Sequence, residues 1–117
     1  MSQIIIEKLQ KARERQVFAG GIGFTVRRPT DLEMIDINRD GMAQRDILRR
    51  FVLNWDAKEI DLLPGGTPKA VAFDAELFME WVSDKPDCWA PLIEAIVDGY
   101  RQHQAQQEES LKKPENG

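Results

Sequence analysis

Residues 16–30 read QVFAGGIGFTVRRPT, and they decide the class of fold. Ile22, Phe24 and Val26 alternate with Gly23 and Thr25, the period of two that turns one face of a strand toward a core. Gly20-Gly21 is the kind of pair that a two-residue hairpin turn favours, since the turn needs positive φ at its centre. The stretch therefore predicts strands over about 16–19 and 22–28, with Pro29 closing the second. The flanking sequence has mostly helical spacing, so the expected class is α+β, mainly α.

Upstream, Ile5, Ile6, Leu9 and Ala12 recur among Lys, Glu and Arg, which predicts a short amphipathic helix over 3–14. Downstream, Thr30 and Glu33 have the spacing of a capping box and open a brief helix carrying Leu32, Ile35 and Ile37. Asn38-Arg39-Asp40-Gly41 ends it. Met42, Ile47, Leu48, Phe51, Val52 and Trp55 form an apolar stripe that predicts a helix over about 42–54. Asp74 is a good N-cap for a further helix, with Phe73 and Phe78 at the two positions of a hydrophobic staple. Leu77, Phe78, Trp81 and Val82 are its expected buried face, and Pro86 breaks it. Pro91 suits the first turn of a last helix, whose stripe runs through Leu92, Ile93, Ile96, Val97, Tyr100 and His103.

The expected organisation is one domain over residues 1–104. A short N-terminal helix and β-hairpin (1–29) precede a small bundle of about four helices (30–104) with a long ordered loop. Residues 105–117 lose apolar periodicity, which predicts a polar tail that is frayed or disordered.

The chain has 117 residues, 42% of them apolar, enough for one modest core. Its single cysteine, Cys88, excludes an internal disulfide framework and fits a reduced, intracellular setting. The apolar run Ile4–Ile6 is too short for a signal sequence or a membrane span. Residues 1–50 carry ten basic and seven acidic side chains, residues 51–117 six and thirteen, so the halves net +3 and −7. The overall −4 argues against a dedicated nucleic-acid binder, while the asymmetry is of a kind that orients a partner or a second copy.

Few groups suggest catalysis. His103, the only histidine, continues a packing stripe, and Cys88 sits beside Asp87 with Asp84 close by, which opposes a reactive thiolate. The connection NWDAKEIDLLPGGTPKAVAFD (54–74) holds Asp56, Glu59, Asp61 and Asp74, but not at the alternating positions of a calcium loop. PGGTPK lacks the Gly-Lys-Ser/Thr run into a helix that cradles phosphate. The expectation is a non-enzymatic protein without cofactor or metal, whose loop is a strap with solvated acids. Ile60, Leu62, Leu63, Val71 and Phe73 are expected to lie back on the core as short extended pieces around Gly65-Gly66.

Seven of nine aromatics lie between Phe51 and Tyr100. Most belong in a core, and what a small domain cannot enclose becomes a groove for a partner helix. The expected contact residues are Phe51, Trp55, Phe78, Trp81 and Trp89, with Arg45 and Arg49 on the rim.

GGIGFTVRRPTDLE, VLNWDAKEIDLLPGG and VAFDAELFMEWVSDKPDCWAPLIEAI, in that order and spacing, resemble the tail assembly chaperones of long-tailed bacteriophages and prophages. The resemblance spans roughly residues 15–103. It implies a non-catalytic chaperone that coats the amphipathic helices of the tape measure protein in the host bacterial cytoplasm. It also implies recruitment of tail tube (major tail) subunits and absence from the mature virion; self-association is a separate expectation, in line with the charge asymmetry. The N-terminal helix and hairpin have no assigned part in that picture. An alternative is a tail-completion or head–tail joining protein that stays in the particle. A small DNA-binding regulator built on residues 30–52 with Arg45, Arg49 and Arg50 is disfavoured by the acidic turn at Asp40.

Overall fold

The structure is a computed structural model that describes residues 1–112, with the side chains of 1–111. It is α+β and mainly helical. In order, the elements are α1 (Ser2–Lys11), β1 (Glu14–Ala19), β2 (Ile22–Arg27), α2 (Asp31–Asp40), α3 (Gln44–Phe51), β3 (Val52–Trp55), the single turn α4 (Glu59–Leu62), α5 (Ala75–Val82) and α6 (Pro86–Lys112).

The hairpin forms as its sequence predicts. β1 and β2 are antiparallel, with Ala19 opposite Ile22 across Gly20 (φ +59°) and Gly21 (φ +80°). Those two positive φ values are why glycine is needed there. Gly20 also lies against α6, since a Cβ on it would come within 3.0 Å of the Cys88 Cβ.

A third strand corrects the expected helix over 42–54. α3 stops at Phe51, and Val52–Trp55 pairs antiparallel with β2, giving the sheet order β1-β2-β3. Thr25 faces Asn54 while Val26 faces Val52, so Leu53 is the bulged residue. The bulge brings Val52 and Trp55, three residues apart, onto one buried face, a spacing that imitates a helix. Trp55 therefore ends a strand.

One core holds the two halves together. Ile22, Phe24 and Val26 of β2 pack with Leu48 and Phe51 of α3, Phe78 and Val82 of α5, and Cys88, Leu92 and Ile96 of α6. Fully burying an aliphatic or aromatic side chain of this size contributes about 1.5–3 kcal/mol. Phe24, Trp55, Phe73 and Phe78 meet edge-on or tilted, with ring centroids 5.4–6.3 Å apart.

Two helix starts match the sequence reading. Thr30 Oγ1 accepts from Glu33 N–H (3.1 Å) while Glu33 Oε1 accepts from Thr30 N–H (2.9 Å), the capping box of α2. Asp74 Oδ2 accepts from Leu77 N–H (2.9 Å), and the Phe73 and Phe78 rings lie 5.8 Å apart as the staple of α5. The last helix starts earlier and ends later than expected. Pro86 occupies its first turn and Pro91 lies inside it. Residues 105–112 are helical, correcting the expected fraying for that segment; residues 113–117 lie outside the described residues. Ala105, the glutamines and the glutamates are good helix formers, and no breaker occurs before Pro114. Gln107 Nε2 also donates to Asp31 Oδ2 (3.0 Å), tying this segment to the start of α2. The 27 residues of α6 span about 40 Å, which helps stretch the chain to 62 × 35 × 25 Å.

Candidate functional site

The acids of the strap over residues 54–74 are exposed, with Glu59 half-buried, and they also hold its backbone. Asp56 Oδ1 accepts from Gly23 N–H (2.8 Å), locking the strap to the hairpin. Glu59 Oε1 accepts from Thr67 N–H and Asp61 Oδ2 from Lys58 N–H, both at 2.8 Å. Asp74 is the N-cap already described. Each carboxylate accepts from a backbone N–H, as Asp side chains do in turns and caps. Among the described residues no group of three His, Cys, Asp or Glu side chains is arranged to hold a metal ion.

Lys58 and Ala70 form a bridge at the neck of the strap, with Glu59 N–H donating to Lys69 O and Val71 N–H to Ala57 O. Leu62, Val71 and Phe73 do lie against the core, whereas Ile60 and Leu63 face water. The Trp55 indole N–H donates to Val71 O at 2.7 Å and pins the outgoing arm.

Cys88 and His103 are both engaged by the fold. The Cys88 thiol is buried, and its pKa is pushed up to about 11 by that burial and then by Asp87. His103 Nε2 lies 3.2 Å from Asp31 Oδ1, beside the Tyr100 hydroxyl that donates to the same oxygen at 3.0 Å. Tyr100, His103 and Gln107 thus clamp α6 to the first residue of α2.

Of the expected contact residues, Phe51 and Phe78 are completely buried and Trp55 nearly so. They are core, and present no surface to a partner. Trp81 is half-buried, edge-on to Trp55 at 6.4 Å, under Lys85 Nζ at 5.5 Å. Its indole N–H has no hydrogen-bond partner among the described residues. Trp89 is half-buried on a shelf between α3, α5 and α6. One hollow of about 200 Å³ holds Arg45, Leu48, Met79 and Trp89, and a second of about 270 Å³ runs on along Trp89, Ile93 and Val97. Arg49 stands elsewhere, on an open hollow of about 590 Å³ at the turn between α2 and α3. The shelf therefore unites Trp89 with Arg45 alone.

Two features escaped the sequence reading. The first is a charged knot around Glu33. Arg27 donates to both of its oxygens (2.7 and 2.8 Å), and Arg50 Nε lies 3.0 Å from Oε2. The Arg27 bonds are the main cause that holds the Glu33 pKa at about 2. Both guanidiniums also stand over the Phe51 ring, at 4.6 and 5.8 Å from its centroid. The neighbouring pair Arg27-Arg28 was the available signal, but charge spacing alone does not reveal a partner six residues on.

The second is the state of α1. No residue of this helix is buried, and Ile4, Ile5, Ile6 and Leu9 remain 44–58% exposed. The amphipathic pattern is real but buries none of its apolar residues against the other described residues. No helix among the described residues is long and apolar enough to cross a membrane. No protein-family model, curated protein or solved structure matches this chain.

Proposed function

We propose that this chain is a tail assembly chaperone of the long-tailed phage type. It binds amphipathic helices of a tape measure protein, keeps that protein dispersed in the host bacterial cytoplasm, and helps recruit tail tube subunits. It performs no catalysis and departs before the virion is complete.

The observation that carries this reading is the bare face of α1. An isolated ten-residue helix is marginal in water, because most helical stability comes from packing an apolar face. Ile5 and Leu9 lie one turn apart, with Ile4 and Ile6 on either side, so a partner helix can seat against them. Lys8 and Lys11 border the stripe and keep it soluble when empty. The Trp89 shelf supplies a second, smaller apolar contact. Weak contacts of this kind suffice when many copies line one rod, because avidity replaces individual affinity.

Co-expression with a phage tape measure protein is the test. The expected result is a partner that becomes soluble and co-purifies, and an Ile5→Ser/Leu9→Ser variant that loses most of that effect. A partner left insoluble by the wild-type chain overturns the function, and solubilisation untouched by the double substitution overturns the surface. Mass spectrometry of purified virions should not find the chain; stoichiometric presence would reassign it to a tail-completion or joining protein.

A further inference from the structure

At the base of the hairpin a cleft of about 190 Å³ opens between β1, the end of β2 and the far half of α6. Arg13, Arg15 and Arg28 line it, with His103 at one side and Glu14 as the one carboxylate in its wall. We propose that this cleft binds a phosphate-type dianion, held by the guanidiniums of Arg13, Arg15 and Arg28.

Three observations support the site. First, its arginines are half-buried, and among the described residues none of them pairs with a carboxylate. The other ion pairs show what this chain does with a cation it needs to neutralise, as Arg27 and Arg50 do on Glu33. Clustered guanidiniums repel one another, and the Arg28 pKa is lowered first by burial and then by the Arg13 charge.

Second, two of the arginines are already positioned. Arg15 Nη1 donates to Ala95 O at 3.3 Å and Arg28 Nη1 to Pro29 O at 2.9 Å. Each guanidinium has five N–H donors, so one backbone bond orients the fork and leaves the rest for a ligand. Third, glycine stands where α6 meets them. A Cβ on Gly99 would lie 3.2 Å from the Arg28 Cβ and 3.6 Å from Arg15 Nη1, so glycine lets the helix close on the arginines.

Three guanidiniums stand against Glu14 in the wall, with Asp31 close enough to act on Arg28, so the cleft keeps a net positive charge for an anion. Phosphate offers several acceptor oxygens to such forks, and Arg–phosphate pairing is commonly bidentate. A free phosphate ion and the terminal group of a phosphomonoester share this chemistry.

Isothermal titration of the full chain with inorganic phosphate tests the site, against sodium chloride of matched ionic strength. Saturable one-to-one binding is expected, weakened about tenfold or more in Arg13→Gln, which costs one charged contact. Among the described residues the Arg13 side chain makes no hydrogen bond, and an unchanged melting temperature will verify that the variant folds. Arg39→Gln, which removes an exposed cation paired with Asp36 and Asp40, serves as the control. Adenosine monophosphate supplies the second arm: tighter binding than phosphate assigns the source to a phosphomonoester, and equal or weaker binding assigns it to the free ion. Heat no greater than that of chloride overturns the proposal, as does equal weakening in Arg13→Gln and Arg39→Gln.

Discussion

Glu33→Gln isolates one charge at the junction of β2, α2 and α3. Glutamine keeps the size of the side chain and can serve the capping box, so what is removed is the anion between Arg27 and Arg50. The carboxyl ordinarily ionises near 4.5 and is held at about 2 in the fold. At 1.36 kcal/mol per pKa unit the full difference is about 3 kcal/mol, and screening at the exposed side of the knot reduces it to about 2 kcal/mol. The sign follows from linkage. A folded pKa below the unfolded one stabilises the protein above pH 4.5, and this stabilisation is lost as pH falls through about 2. Urea melts followed by tryptophan fluorescence should place Glu33→Gln about 2 kcal/mol below wild type near pH 7, roughly 8 °C in melting temperature. The two curves should converge as pH falls from about 4.5 toward 2. A gap that stays constant across that range would refute the reasoning, because Glu33 would then contribute through shape and not charge.

Trp55→Phe removes the indole bond to Val71 O and should cost about 1–3 kcal/mol, read by the same urea melts, because it leaves a carbonyl of the strap without its donor. Deleting residues 2–11 should shift the melting temperature by less than about 2 °C, since α1 buries none of its residues, while abolishing capture of the helical partner. The Cys88 thiol, buried and pushed up to about 11, should resist a thiol-reactive disulfide reagent at neutral pH and react once per chain only after denaturation.

Local chemistry was legible and long-range pairing was not. The Gly20-Gly21 turn, the Thr30–Glu33 box and the Phe73-Asp74 entrance to α5 each lie within a few residues, and each formed as read. β3 was misread because the bulge at Leu53 replaces the period of two by a spacing of three. The reach of α6 was underestimated for a different reason. Apolar periodicity reports packing, and residues 105–111 are exposed helix held by propensity and by Gln107 on Asp31. Phe51 and Phe78 are as apolar as a docking site, and only the fold assigns them to the core. Ile5 and Leu9, read as one face of a helix, stay more than half exposed. Nothing in the spacing of Arg13, Arg15 and Arg28 announces that hairpin pairing and α6 bring them to one cleft.

The bridged neck of the strap has a practical meaning for handling this protein. Lys58 and Ala70 hold the two arms together, so the tip at Pro64-Gly65 transmits little to the core when it is lengthened. Doubling a flexible loop costs only about 0.6 kcal/mol in closure entropy, and the space around Gly65 is open. A peptide epitope or fluorophore spliced between Pro64 and Gly65 would ride on a closed ring of backbone, leaving both termini and α1 unlabelled for assembly experiments.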